Sequence, residues 1–237
     1  MSSPPDPERA FSLCIAQLES GSSEAQVSLQ VLIKSFPDYS EGWAKLGKSL
    51  FKAGQIAGAA VAFKRAATIS NNPIHHFQEA MTLMRLLRHR EAISSFRTGL
   101  DKDPKNGEAL LSVAKCLRSI GEFRDAYQTL LHAQTLEPQN WQVVFALGLL
   151  CEDLKDSKGA ILAYSRCICL KPETAEAHLN LGLVYQNRGD WDQALQSYRH
   201  AYRLQPNTFG RVAQSLTSAA QGQMWLNLTK LKKSLSV

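Results

Sequence analysis

Long apolar runs are missing from this chain. No stretch approaches the roughly eighteen consecutive apolar residues of a membrane-crossing helix, so no transmembrane segment is expected. The first ten residues, MSSPPDPERA, hold two acids and one Arg ahead of the first apolar run. That is a poor start for a secretory leader. Residues 1–6 are expected to be a disordered lead-in, and the protein cytoplasmic. Cysteine is sparse and odd in number, with five residues and no Cys-x-x-Cys pair. Cys167 and Cys169 stand two apart on an expected helix and so point away from each other. Free, mostly buried thiols follow, rather than a disulfide framework or a metal site.

The motifs of catalysis are also absent: there is no glycine-rich phosphate loop, no GxSxG and no HExxH. His75 and His76 are adjacent and cannot share a helical face. His89, His132, His178 and His200 are scattered, so neither a metal, a cofactor nor an enzyme is expected. Hydrophobic residues make up 44% of the chain and charged residues 20%, enough for a core and against wholesale disorder. The net charge of +6 suits acidic partners, but the cations are not clustered as nucleic-acid binding requires.

What the chain does have is a period. Pro104, Pro138, Pro172 and Pro206 stand 34 residues apart. Other columns follow the same spacing. A small residue recurs at Gly47, Ala80, Ala114, Gly148 and Gly182. An alanine recurs at Ala59, Ala92, Ala126, Ala160 and Ala194. A ring or Leu follows four residues later, at Phe63, Phe96, Leu130, Tyr164 and Tyr198, and a second small residue at Ala66, Gly99, Ala133, Cys167 and Ala201. Small residues let two antiparallel helices approach closely, and the bulky one fills the space beside them. Gly54, Gly121 and Gly189 suit tight turns between the helices, and each proline ends a pair. Two copies depart from the pattern. RLLRHRE replaces the glycine turn near residue 88, and Lys155-Asp156 replaces it in the fourth copy. Glu79 stands where an apolar residue is expected, implying a loosely packed repeat or a nearby Arg.

The period, with Gly182, Tyr185, Ala194, Tyr198, Ala201 and Pro206, resembles the tetratricopeptide repeat (TPR). The resemblance implies an all-α fold: a right-handed α-solenoid of helix-turn-helix repeats with a C-terminal capping helix. Five repeats are expected at 40–72, 73–106, 107–140, 141–174 and 175–208. Residues 7–39 form a divergent N-terminal hairpin, with Ala25, Leu29, Leu32 and Pro37 in register. Residues 209–237 form the cap and a basic tail. Phe209, Val212, Ala213, Leu216 and Ala220 carry the capping helix. Asn227 begins a last short helix presenting Leu228, Leu231 and Leu235, with Lys230, Lys232 and Lys233 opposite. That helix either packs on the body or meets a membrane surface or partner through its basic amphipathic face.

In TPR proteins the first helix of each repeat lines a concave groove. Carried over, the resemblance offers Phe77, Met81, Leu111, Phe145 and Leu149 as apolar surface, with Leu183 and Asn180 in the last copy. Lys45, Lys48, Lys52, Arg85, Lys115 and Arg118 place positive charge beside them, and Glu152 and Asp153 reverse the sign further along. Leu179, Asn180, Leu183 and Gln186 are the first-helix residues of the fifth copy that packing leaves free. A non-enzymatic adaptor for an acidic or mixed acidic-apolar segment of a protein partner is the leading expectation. An accessory module recruited to an enzyme such as a transferase or secretion component, and a self-assembling scaffold, are the alternatives. The columns lack the clamp of Lys and Asn that chaperone-binding TPRs use, and no repeating polar pair reads RNA bases.

Overall fold

The computed structural model describes residues 6–20, 28, 31–32, 34–218 and 228–236. They form helices and, among the described residues, no strand: α1 (Pro7–Glu19), α2 (Ser40–Lys52), α3 (Ile56–Ile69), α4 (Pro73–Arg85), α5 (His89–Leu100), α6 (Gly107–Ser119), α7 (Phe123–Leu136), α8 (Trp141–Asp153), α9 (Ser157–Leu170), α10 (Ala175–Arg188), α11 (Trp191–Leu204), α12 (Phe209–Ser218) and α13 (Leu228–Ser236). None of these is long and apolar enough to cross a membrane. The chain divides into two compact units, residues 1–122 and 123–237.

In the first unit, α2 packs on α3, α3 on α4, α4 on α5 and α5 on α6, while α1 lies against α2. The small-residue columns explain the close pairing. A Cβ placed on Gly47 would stand 2.8 Å from the Phe63 ring. Phe11 of α1 is buried among Phe36, Tyr39 and Trp43, its ring centroid 5.5 Å from Tyr39 and 5.9 Å from Trp43. The Trp43 indole N–H donates to the Pro37 carbonyl at 3.2 Å, fixing the entry to α2. Asp6 caps α1 by accepting from the Glu8 amide at 3.1 Å. Leu32 is buried, whereas Ala25 and Leu29 of the N-terminal hairpin, and residues 1–5, lie outside the described residues.

In the second unit, α8 packs on α9, α9 on α10 and α10 on α11. Added Cβ atoms on Gly148 and Gly182 would stand 2.5 and 2.6 Å from Tyr164 and Tyr198. The Lys171 ammonium sits 4.4 Å over the Trp141 ring, holding the link after α9. At the C-terminal end, Val212 and Leu216 of α12 and Leu231 and Leu235 of α13 are buried in one cluster with Tyr198 and Ala201. Arg199 donates to the Ser234 carbonyl at 2.8 Å. The apolar face of α13 is therefore used in packing, with Lys232 and Lys233 exposed, and this removes the basis for a membrane contact through that face. Ala220 and Asn227 lie outside the described residues. Cys14, Cys116, Cys151 and Cys167 are buried and Cys169 is exposed. Burial pushes the Cys116 and Cys167 thiols up to about 11.

The turn inside each pair uses one device. The amide five residues on bonds back to the helix carbonyl: Gln55 to Leu50, Arg88 to Leu83, Glu122 to Leu117, Asp156 to Cys151 and Asp190 to Tyr185, all between 2.8 and 3.0 Å. That closure needs a left-handed residue before it. Gly54, Gly121 and Gly189 supply it at φ 76°, 81° and 83°. Where glycine is missing, Leu87 and Lys155 are forced to φ 59° and 60°. Left-handed backbone costs a non-glycine residue about 1 kcal/mol. Leu87→Gly and Lys155→Gly are therefore expected to stabilise the chain, by up to about 0.5 kcal/mol each after the entropy of glycine is counted, or up to about 2–4 °C together. Gly189→Ala should act in the opposite direction. Thermal melts of the three variants decide it, and a fall in Tm for both glycine variants would refute the strain.

Candidate partner-binding groove

In the first unit the first helices α2, α4 and α6 border a cavity of about 410 Å³. Its base is aromatic: Phe63 and Phe96 are buried and Phe77 half-buried. The Phe77 ring is held 6.3 Å from Phe96 and over Gly99, where a Cβ would come within 2.4 Å of it. Met81, 44% exposed, and Ile74, 55% exposed, continue the apolar lining to the surface. Lys48 and Lys52 line the α2 side, where an i, i+4 spacing puts them on one helical face. Neither has an ion-pair partner among the described residues. Glu108 and Ser112 line the α6 side.

Four of the expected groove residues, Lys48, Lys52, Phe77 and Met81, thus meet at one cavity. The others stand elsewhere. Lys45 is half-exposed and pairs with Glu8 of α1 at 3.3 Å. Arg85 is exposed, its guanidinium 5.6 Å from the Phe51 ring centre, and Phe51 itself lines the cavity. Lys115 is exposed and Arg118 half-buried, while Leu111 is buried in the helix packing. Phe51, Ile74, Asn106, Glu108 and Ala109 line the cavity without having been in the expected set. Ile74 carried a signal, being a bulky apolar residue at the second position of a helix that begins with proline.

The second unit uses its first-helix residues differently. Phe145 is half-buried with its ring 5.6 Å from Tyr164, and Leu149 lies half-buried beside it. The Tyr164 hydroxyl donates to Glu152 and accepts from the Asn180 amide at 3.4 Å. Gln186 accepts from the Tyr198 and Ser215 hydroxyls, at 2.7 and 3.0 Å, and donates to the Ser215 carbonyl at 3.0 Å. Burial pushes the Tyr198 phenol up to about 12. Leu179 is fully buried and Leu183 half-buried in the same cluster. The expectation that Leu179, Asn180, Leu183 and Gln186 are free is therefore corrected. Tyr164 holds Asn180, α12 holds Gln186, and the two leucines pack.

Glu79 has its own setting. It lies in a second cleft of about 520 Å³ with Lys64, Leu83, Arg88 and Ser95. It is only 9% exposed, and burial raises its pKa above the ordinary 4.5, against the lowering effects of a Ser95 hydrogen bond and of Lys64 and Arg88. The nearby Arg is Arg88, which makes its close ion pair with Glu91 at 2.6 Å.

Family models of the tetratricopeptide repeat match residues 175–208 and 77–126. At those residues the chain carries tetratricopeptide repeats. Among solved structures it is similar to MamA from Desulfovibrio magneticus RS-1 (residues 41 to the end), with 20% identity over 72% of this chain and 97% of that one and a TM-score of 0.67. It is similar to PilF of Pseudomonas aeruginosa, with 21% identity over 83% and 88% and a TM-score of 0.67. It is also similar to YrrB, with 16% identity over 75% and 92% and a TM-score of 0.61. At these identities the likeness is one of fold. No match was found among curated proteins.

The Glu79 environment yields a pH dependence. Because the folded-state pKa is raised, the native chain binds the Glu79 proton more tightly than the unfolded chain. Stability falls as pH rises from the unfolded value through the folded one, and stays reduced above it. Glu79→Gln keeps a partner for Ser95 without a charge to desolvate. It should melt higher than the parent at neutral pH, and the gap should close below about pH 4.5. A lower Tm for the variant at neutral pH would show instead that Lys64 and Arg88 outweigh the desolvation.

Proposed function

We propose that this chain is a non-enzymatic interaction module that holds an acidic or mixed acidic-apolar segment of another protein on its first-helix face. The observation that carries the proposal is the cavity among α2, α4 and α6, apolar at its base and bounded by two lysines without ion-pair partners among the described residues. Repeat solenoids present concave surfaces of this kind. Buried apolar anchors would supply affinity, and the lysines would steer and orient an acidic segment. YrrB, described as a TPR protein with an unusual peptide-binding site, is an example of the same fold used for peptides.

The test is quantitative affinity capture with the intact chain and with a Lys48→Glu, Lys52→Glu double variant. Both side chains are exposed, so far-UV circular dichroism should stay helical. Recovery of the specific partner should drop at least about tenfold, the equivalent of about 1.4 kcal/mol. Equal recovery by both forms, with the fold intact, would refute a basic groove as the binding face.

A further inference from the structure

We propose that the surface of α11 and α12 under α13 is a second docking site, independent of the cavity in the first unit, and that its occupant is an amphipathic helix of a partner protein. That helix carries two leucines one turn apart, lays its C-terminal turn on Arg199, and has acids where α13 has Lys232 and Lys233. In the free chain α13 fills the site from within.

Four observations carry this. First, α13 shows what the surface accepts. Leu231 and Leu235, an i, i+4 pair on one helical face, are fully buried in one cluster with Ala201, Val212 and Leu216. Arg199 of α11 donates to the Ser234 carbonyl at 2.8 Å, which sets a cation at the negative end of the docked helix. Second, α13 is a separable element. Its nine residues are fewer than a helix needs to persist alone in water, so α13 is helical because it is docked. Residues 219–227 separate it from α12, a longer connection than any between successive repeat helices. A chain of that length can extend to about 30 Å, so α13 can leave its seat while α12 stays. Third, α12 has its own attachment. Gln186 of α10 donates to the Ser215 carbonyl and accepts from the Ser215 hydroxyl, both at 3.0 Å. The seat therefore outlasts the departure of α13. Fourth, α13 is electrostatically mismatched with its seat. It carries Lys230, Lys232 and Lys233 and no acid, while α11 and α12 carry Arg199, Arg203 and Arg211 against Asp192 alone. Arg211 is paired with Glu176 of α10 at 2.7 Å. A helix with the same leucines and with acids in place of the lysines matches this surface better than α13 does.

Synthetic peptides and the full chain test this. One peptide repeats residues 228–236, extended with alanines to about fifteen residues so that it can form a helix. A second also carries Lys232→Glu and Lys233→Glu. By fluorescence anisotropy the second should bind the parent chain at least about tenfold more tightly than the first. It should lose that binding when it further carries Leu231→Ala and Leu235→Ala. Leu231→Asp in the chain should raise the affinity for both peptides at least about tenfold by vacating the seat. Arg199→Glu in the chain should remove the preference for the acidic peptide. Hydrogen exchange of the parent, which needs no variant, should show residues 228–236 losing protection when the acidic peptide binds while α11 keeps its own. Equal binding of the two peptides, full binding by the alanine form, no gain with Leu231→Asp, or unchanged protection of residues 228–236 would overturn this inference and leave the first-unit groove reading standing. Lys48→Glu with Lys52→Glu should leave the peptide affinity unchanged. A loss there, with Arg199→Glu silent, would place the acidic peptide in the first-unit cavity and overturn the second site alone.

Discussion

The close approach of paired helices is the constraint on which the structure depends. Gly47 against Phe63, Gly148 against Tyr164 and Gly182 against Tyr198 leave no space for even one added methyl group. A glycine within a helix costs about 1 kcal/mol relative to alanine. Burying the facing ring returns more, about 1.5–3 kcal/mol for a side chain of that size. The exchange is favourable only while the two helices stay in contact, so each hairpin is committed to one geometry. A ring that fills the gap inside its own pair is buried there. Tyr164 and Tyr198 are fully buried for this reason.

Closeness within pairs sets what the first helices can offer. Their faces toward the second helix are spent on small residues, and the adjoining positions meet neighbouring repeats. In the first unit the remainder opens onto a cavity, because Phe77 leans onto Gly99 and Phe96 and leaves Met81 and the α2 lysines at the surface. In the second unit the equivalent positions are closed by hydrogen bonds. Asn180 reaches the Tyr164 hydroxyl, and Gln186 is shared between Tyr198 and Ser215 of α12. A terminal repeat has no successor to cover its apolar surface, and α12 with α13 supplies that cover. The polar residues that look free in the sequence are the ones that hold the cover in place.

The fold was legible because a repeat states its packing five times. The columns of small residues and rings are visible without coordinates, and so are the turns that depart from glycine, which the structure shows at positive φ. A further column is polar: Asn72, Asn106 and Asn140 stand 34 residues apart, and each caps the first helix that follows it. The packing columns are apolar or small, whereas capping is a polar, local signal. The site was only partly legible. Of the residues that position within a repeat selects, Lys48, Lys52, Phe77 and Met81 line one cavity, but position treats all five copies as equivalent. Leu111 and Met81 both belong to groove columns, yet one is buried and the other 44% exposed. The difference arises from which neighbours each copy has, and a period cannot express that.

The same cavity lies where the repeat is least regular. The second repeat breaks the pattern with a buried Glu79, a left-handed Leu87 and the histidines at 75 and 76. Each departure costs stability that a regular copy would keep. His75 is buried, its Nδ1 2.7 Å from the Ser70 hydroxyl, and burial lowers its pKa. Such a copy survives because its neighbours supply the missing stability, as nearest-neighbour coupling in a solenoid permits. Irregularity is also what makes a surface selective, since identical copies would present the same residues everywhere along the stack. A partner held at the cavity beside α4 would therefore meet side chains that no other copy repeats.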